Sequence, residues 1–162
     1  MIKTDTHIFF LKEWLSNFKH CKIVSNGDEF SNTEQIFMYH KALFFEDFEV
    51  AKKILKTPVP YEAKALGRQV RGYDDKKWSK VRYDVMLQAN LCKYRQNEDL
   101  RIKLLETGDK ILVEVNPRDN IWGIGMDENN PDIYDETKWK GLNLLGKVLM
   151  ETRKILNDEK NN

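Results

Sequence analysis

Only two of the 162 residues are cysteine, Cys21 and Cys92, far apart and without CxxC spacing. That scarcity argues against a disulfide scaffold and makes reduced thiols in a cytoplasm the simpler expectation. Histidine is equally sparse. His7, His20 and His40 show no metal-ligand spacing with each other or with the cysteines, so no metal is expected, and nothing in the chain implies another cofactor. No apolar run approaches the roughly 20 residues that a membrane span needs. The N-terminal stretch MIKTDTHIFFLKEW holds no segment long enough for a secretory core. The expected setting is therefore cytoplasmic, with no membrane partner. Charge of one sign is also lacking: 27 Lys and Arg stand against 26 Asp and Glu, a net +1. No global field draws such a chain onto nucleic acid, and any contact of that kind would be local.

What is there is an ordinary globular composition, 41% hydrophobic and 33% charged. The length suits a single domain, expected over residues 1–157, with a frayed polar tail at 158–162. His7–Leu11 reads as a short strand. Cys21–Phe30 carries Asn26-Gly27 between two short runs, a hairpin signal. Asn32 with Gln35 has the form of a capping box and opens a helix to about Phe45. Helices are expected over Glu46–Thr57, stopped by Pro58 and Pro60, over Tyr61–Val70, from Asp74-Asp75 to about Tyr94, and from Asn97 to Gly108. Lys110–Val115 reads as a buried strand. A last helix from Gly141 places Leu142, Leu145, Leu149 and Leu156 at core spacing. The class is α+β and predominantly helical, five or six helices around a small, mostly antiparallel sheet. The polar segment from Asn116 to Lys140 is long for a loop, and loops of that length are often functional.

The helix SNTEQIFMYHKA, Ser31–Ala42, is apolar nearly all round yet carries Glu34 and Lys41 seven residues apart. That spacing puts the two within about 20° of each other around the axis and about 10 Å apart along it. Two readings stay open. Glu34 supports the first turn while Lys41 snorkels outward, or both line a cleft with room for a ligand between them. Trp78, in the first turn of its helix, is either core or a ring on which a base stacks. In DNIWGIG, Asp119–Gly125, a carboxylate precedes Trp122, and Gly123 and Gly125 allow close backbone approach. Two carboxylates with an aromatic platform form the kit of a glycosidic-bond hydrolase. In LSNF, Ser16 and Asn17 form a turn or hydrogen-bond a sugar or base edge.

In order along the chain, these segments resemble the NADAR superfamily, also called YbiA-like. The resemblance rests on WLSNF (Trp14–Phe18), FSNTEQIFMYHKA (Phe30–Ala42) and ALGRQV (Ala65–Val70). It continues through the W-x-x-V-x-x-x-V-M of Trp78–Met86, D-x-x-W-G-I-G (Asp119–Gly125) and W-K-G-x-N-x-L-G-x-x-L-M-x-x-R (Trp139–Arg153). It implies a YbiA-like single domain that cleaves N-glycosidic bonds, with Glu34, Lys41, Asp119 and Trp78 as catalytic positions. Asn17, Ser16, Trp122, Gly123, Gly125 and Asn143 are implied as substrate-binding positions. The implied substrate is a small ribosyl or ADP-ribosyl compound. One branch removes ADP-ribose from guanine, in which case a DNA base would have to be single-stranded or flipped out. Another branch hydrolyses ribosylamino-pyrimidine phosphates of the riboflavin pathway. Where some members carry an acid after W-G, this chain has Ile124, and the insert MDENNPDIYDETK is acidic. Both mark divergence, and the ADP-ribosyl-guanine branch is favoured. Phosphates are expected on backbone amides around Gly123 and Gly125, with a local basic rim from Arg68, Arg71, Lys76, Lys77 and Lys80. The rival readings are a non-catalytic module binding ADP-ribose or NAD and a plain interaction domain.

Overall fold

The computed structural model describes all residues from Met1 to Asn162. Strands β1 (Ile2–Lys3) and β2 (His7–Phe10) open the chain. The hairpin β3 (Ile23–Ser25) and β4 (Asp28–Phe30) follows. Four helices come next: α1 (Thr33–Phe44), α2 (Phe48–Leu55), α3 (Pro60–Gly67) and α4 (Asp75–Gln96). After α5 (Glu98–Glu106) come β5 (Ile111–Glu114), two short 3-10 turns (Pro131–Tyr134 and Glu136–Lys138) and α6 (Leu144–Lys160). Contacts divide the chain into two compact units, one of residues 1–16 with 102–162 and one of residues 17–101.

The first unit holds a three-stranded sheet in the order β1-β2-β5. β1 and β2 are antiparallel, whereas β2 and β5 run parallel, with Phe9 opposite Val113. This sheet is therefore mixed. With the antiparallel hairpin of the second unit, two of the three strand pairings are antiparallel, in keeping with the α+β, predominantly helical class expected. β5 lies about a hundred positions after β2, so the two are not hairpin partners and parallel pairing is open to them. Phe9, Val113, Val115, Ile124, Met126 and Ile133 are buried together. Gly146 lets α6 close onto β5, since a Cβ there would stand 2.0 Å from the Leu112 carbonyl oxygen. The last helix starts three residues later than the leucine pattern suggests, because Asn143 is left-handed at φ 53°. Leu142 is left outside, 52% exposed rather than in the core. At the other end the helix runs on to Lys160, so most of the segment read as a frayed tail is helical.

In the second unit the hairpin turns through Asn26 (φ 51°) and Gly27 (φ 82°), with Ser25 paired to Asp28. Two consecutive positive-φ residues are what the strand-matching two-residue turn requires. The Gln96 side chain continues the edge of β3, accepting from Val24 N–H (2.7 Å) and donating to the Val24 carbonyl (2.8 Å). Helix α1 packs on α2, α3 and α4 and is the centre of the unit. Its forward cap forms as the spacing implies, and the return bond falls one residue before the cap, on Ser31 rather than on Asn32. Asn32 Oδ1 accepts from Gln35 N–H (2.8 Å), and Gln35 Oε1 accepts from Ser31 N–H (2.7 Å). Asp47 caps α2 through Val50 N–H (3.2 Å) and is gripped by Arg71 through Nη2 (2.8 Å) and Nε (3.2 Å). Arg71, expected on a basic rim, is thereby tied down.

Candidate functional site

Within the second unit, α1 carries Glu34 in its first turn and Lys41 in its last. Glu34 is only 6% exposed although it sits in the first turn, and its N–H donates to the Asn17 carbonyl (3.1 Å). That bond joins the LSNF turn to the start of α1. Asn17 is itself buried. Its Nδ2 rests on Met86 Sδ (3.4 Å), and its Oδ1 is buried with no partner. A buried acceptor left open costs about 1–3 kcal/mol, so it marks a place where something polar is wanted.

Lys41 is half-buried near the other end of α1. Its Nζ donates to the Gly67 carbonyl (2.9 Å) and stands 4.6 Å from the Tyr73 ring centroid. Burial pushes the amine below its ordinary value, Glu34 opposes that shift and Arg68 adds to it. A lysine lowered in this way has more neutral amine available near pH 7 than an exposed one. Its acceptor is fixed by packing: a Cβ on Gly67 would lie 2.1 Å from Met38 Sδ, so only glycine fits beneath Met38 as it stands. Tyr73 is held at both ends. Its hydroxyl donates to Asp75 Oδ1 (2.8 Å) and its ring lies 5.3 Å from Phe45.

Trp78 is 4% exposed. Its ring is packed among Phe37 (5.4 Å), Phe44 (5.7 Å) and Phe45 (6.1 Å). It serves the core of this unit, and a stacked base would need a face of it uncovered. Trp78, Arg82, Met86 and Asn90 follow one another at four-residue steps along α4, which puts them on one slowly turning stripe. Tyr73, Arg82 and Asn90 were not singled out from the sequence. The four-residue step from Trp78 is the signal that would have found the last two.

In the first unit, Ser16 is buried and its N–H donates to the Glu13 carbonyl (2.9 Å). Asp119 turns its own loop: Oδ1 accepts from both Ile121 and Trp122 N–H at 2.9 Å. Trp122 is half-buried, and its carbonyl accepts from Leu145 N–H (3.0 Å). A Cβ on Gly123 would meet the Asp119 and Glu114 carbonyl oxygens at 3.0 Å. Gly125 has φ +67°, and its N–H is already donated to the Asp119 carbonyl (3.1 Å). The loop glycines therefore close the backbone on itself, and the Gly125 amide is not offered outward. Asn143 is engaged on both atoms of its amide: Oδ1 accepts from Glu114 N–H (3.1 Å) and Nδ2 donates to the Leu112 carbonyl (2.9 Å). Ile124 is fully buried and belongs to the core of this unit.

A cavity of about 390 Å³ in the first unit is walled by Trp14, Lys103 and Lys110 among others. None of the residues singled out from the sequence lines it. Glu34 and Lys41 lie on α1 in the second unit and are not among the residues that wall it. No group of three His, Cys, Asp or Glu side chains is gathered that would hold a metal ion, and no helix is long and apolar enough to cross a membrane.

Residues 5–157 match the family described as the NADAR domain. N-glycosidase R617 of Acanthamoeba polyphaga mimivirus is 40% identical, over 94% of this chain and 97% of that protein. The NMR structure of the E. coli protein YbiA superposes with a TM-score of 0.81 at 31% identity, over 99% of this chain and 90% of that one. Riboflavin biosynthesis protein VVA0006 of Vibrio vulnificus is 30% identical over 90% of this chain, which corresponds to 36% of that longer protein.

Proposed function

The chain belongs to the NADAR family, and from that premise we propose that it is an N-glycosidase that removes ADP-ribose from guanine. The observation that carries the reading is the pairing on α1 of a buried carboxylate, Glu34, with Lys41, an amine lowered by burial. Departure of the base leaves positive charge at the anomeric carbon, and a carboxylate held out of water stabilises that charge strongly. Glu34 takes this role. Lys41 either orients the attacking water or attacks the anomeric carbon itself as the neutral amine, which the lowered pKa favours. In that amine route the Nζ–C1′ bond replaces the bond to the base, and a proton from the amine ends on the departing base. The ribose ring opens to an imine on Lys41, and water hydrolyses that imine to release the sugar and the free amine. In the water route the new C–O bond replaces the C–N bond, and the water's proton ends on the departing base. Asn17 offers its open Oδ1 to a ribose hydroxyl. Trp78 packs on Phe37 and Phe45, and Phe45 in turn supports the Tyr73 ring beneath Lys41. Asp119 is the second carboxylate of the proposal, with Trp122, Gly123 and Gly125 forming its loop. Ser16 and Asn143 act by holding backbone in place.

A guanine in nucleic acid would have to be single-stranded or flipped out to be reached, and the net charge of +1 suits local rather than global attraction. The free thiols of Cys21 and Cys92 fit a reducing cytoplasm. The name of the Vibrio vulnificus relative favours a second reading, hydrolysis of a riboflavin-pathway ribosylamino-pyrimidine phosphate. One experiment separates these readings. The protein is incubated with ADP-ribosylated guanosine and, separately, with a ribosylamino-pyrimidine phosphate, and released base is measured. Release from the first supports the ADP-ribosyl reading, and release from the second alone transfers the function to the riboflavin branch. No release from either, with measurable ADP-ribose binding, makes the chain a binding module and ends the enzyme reading.

A further inference from the structure

Both substrate classes above carry phosphate on the 5′ side of the ribose, and the inference here rests on that reading of the substrate. Arg82 is half-buried on α4, one turn beyond Trp78, yet its Nε is buried and finds no hydrogen-bond partner. An orphaned guanidinium N–H is costly, because the group carries a fixed fork of donors and always its charge. The neighbouring acids do not answer it. Asp75 accepts from the Tyr73 hydroxyl (2.8 Å), and Asp74 caps α4 through Lys77 N–H (3.2 Å). Arg71, by contrast, is bound by Asp47 and Glu49.

Arg82 also belongs to the neighbourhood of Lys41. Its charge acts on the Tyr73 phenol, countering the rise produced there by burial and by Asp75 and Asp74. The Tyr73 ring is the one over which Lys41 Nζ sits. One turn further along the stripe, Met86 carries the Asn17 amide on its sulfur, with the Asn17 acceptor open. The stripe thus presents an unanswered cationic donor and then an unanswered neutral acceptor, the order in which a ribose phosphate offers its phosphate and its hydroxyls. Of the loop amides around Gly123 and Gly125 expected to hold phosphate, that of Gly125 is already donated to the Asp119 carbonyl.

We infer that Arg82 is the phosphate anchor of this chain, its guanidinium taking the 5′-side phosphate of a ribosyl substrate while Asn17 takes a ribose hydroxyl. A charge-assisted bond of this kind is worth on the order of 10- to 100-fold in affinity. The test pairs Arg82→Gln and Arg82→Lys with matched ligands. Calorimetry compares ribose 5-phosphate with ribose. Turnover compares ADP-ribosylated guanosine with the analogue bearing ribose alone. The native protein is expected to prefer the phosphorylated ligand by that factor, and R82Q to lose the preference while handling the phosphate-free ligand as the native protein does. R82K is expected to recover part of it, because it restores the charge without the fork. Since R82Q removes an orphaned donor, its unfolding midpoint is expected not to fall. An undiminished phosphate preference in R82Q, or equal losses on both ligands, overturns the assignment. The calorimetric arm reads Arg82 without any turnover, so it stands or falls separately from the enzyme reading.

Discussion

Replacing Asn143 tests whether its place in the motif reflects substrate or backbone. In Asn143→Ala two buried backbone groups, Glu114 N–H and the Leu112 carbonyl, lose their partners at once. Each orphaned group costs about 1–3 kcal/mol. Alanine must also adopt the left-handed conformation that asparagine holds at φ 53°, which adds roughly 1 kcal/mol. The sum is about 3–7 kcal/mol, a large part of the roughly 5–15 kcal/mol that holds an ordinary domain folded. Asn143→Gly carries the hydrogen-bond loss without the conformational one, so it is expected to be the milder variant by about that 1 kcal/mol. Urea unfolding gives both numbers through the midpoint shift at constant m, and native-state hydrogen exchange at the Glu114 amide reports the bond directly. A loss under about 1 kcal/mol in the alanine variant, or equal losses in both, refutes this account and returns Asn143 to the substrate.

Glu34→Gln is expected to fold normally and lose about 10²–10⁴-fold in kcat, and near-native turnover of ADP-ribosylated guanosine would remove Glu34 from the chemistry. Asp119→Asn keeps an oxygen for the Ile121 and Trp122 amides, so thermal unfolding should hardly move and any large drop in rate reports the lost charge. If the Lys41 amine attacks, the rate should rise with pH through a value below that of an exposed lysine, and borohydride added during turnover should leave a sugar adduct on Lys41 by mass spectrometry. A water-only route leaves no adduct. Fully buried Lys93 is lowered by burial from 10.5 to about 8, so between those values the unfolded chain binds more protons and stability rises with pH. Cys21, raised above 9.0 by burial, works the other way once pH exceeds its unfolded value. A gain of about 1 kcal/mol is therefore expected from pH 8 to 9, and a flat or falling urea midpoint over that interval would contradict it.

The features legible in the sequence are those whose cause is local. The Asn32–Gln35 cap and the Asn26-Gly27 turn depend on residues within four positions of each other, and both form as read. The parallel pairing of β2 with β5 depends on strands about a hundred positions apart, and no local pattern carries it. The start of α6 was misplaced because leucine periodicity continues through Leu142, while the left-handed Asn143 ends it. On α4 Asn90 and Lys93 are fully buried, against the ordinary preference of both residue types. Glu34 and Lys41 are legible as candidates because charges are conspicuous on an apolar helix. Tyr73 and Arg82 are not, because an aromatic in a turn and an arginine on a polar-looking helix do not stand out.

The Gly67 contact has a consequence for descent. The lysine's acceptor lies on α3, and the side chain that a larger residue there would displace is Met38 of α1. Positions 38 and 67 are therefore heritable as a pair. A lineage that acquires alanine at 67 keeps the Lys41 amine seated when the Met38 side chain swings aside or position 38 shrinks in the same history, and a trimmed position 38 in turn frees 67 to drift. The two should covary among homologues while their neighbours change independently.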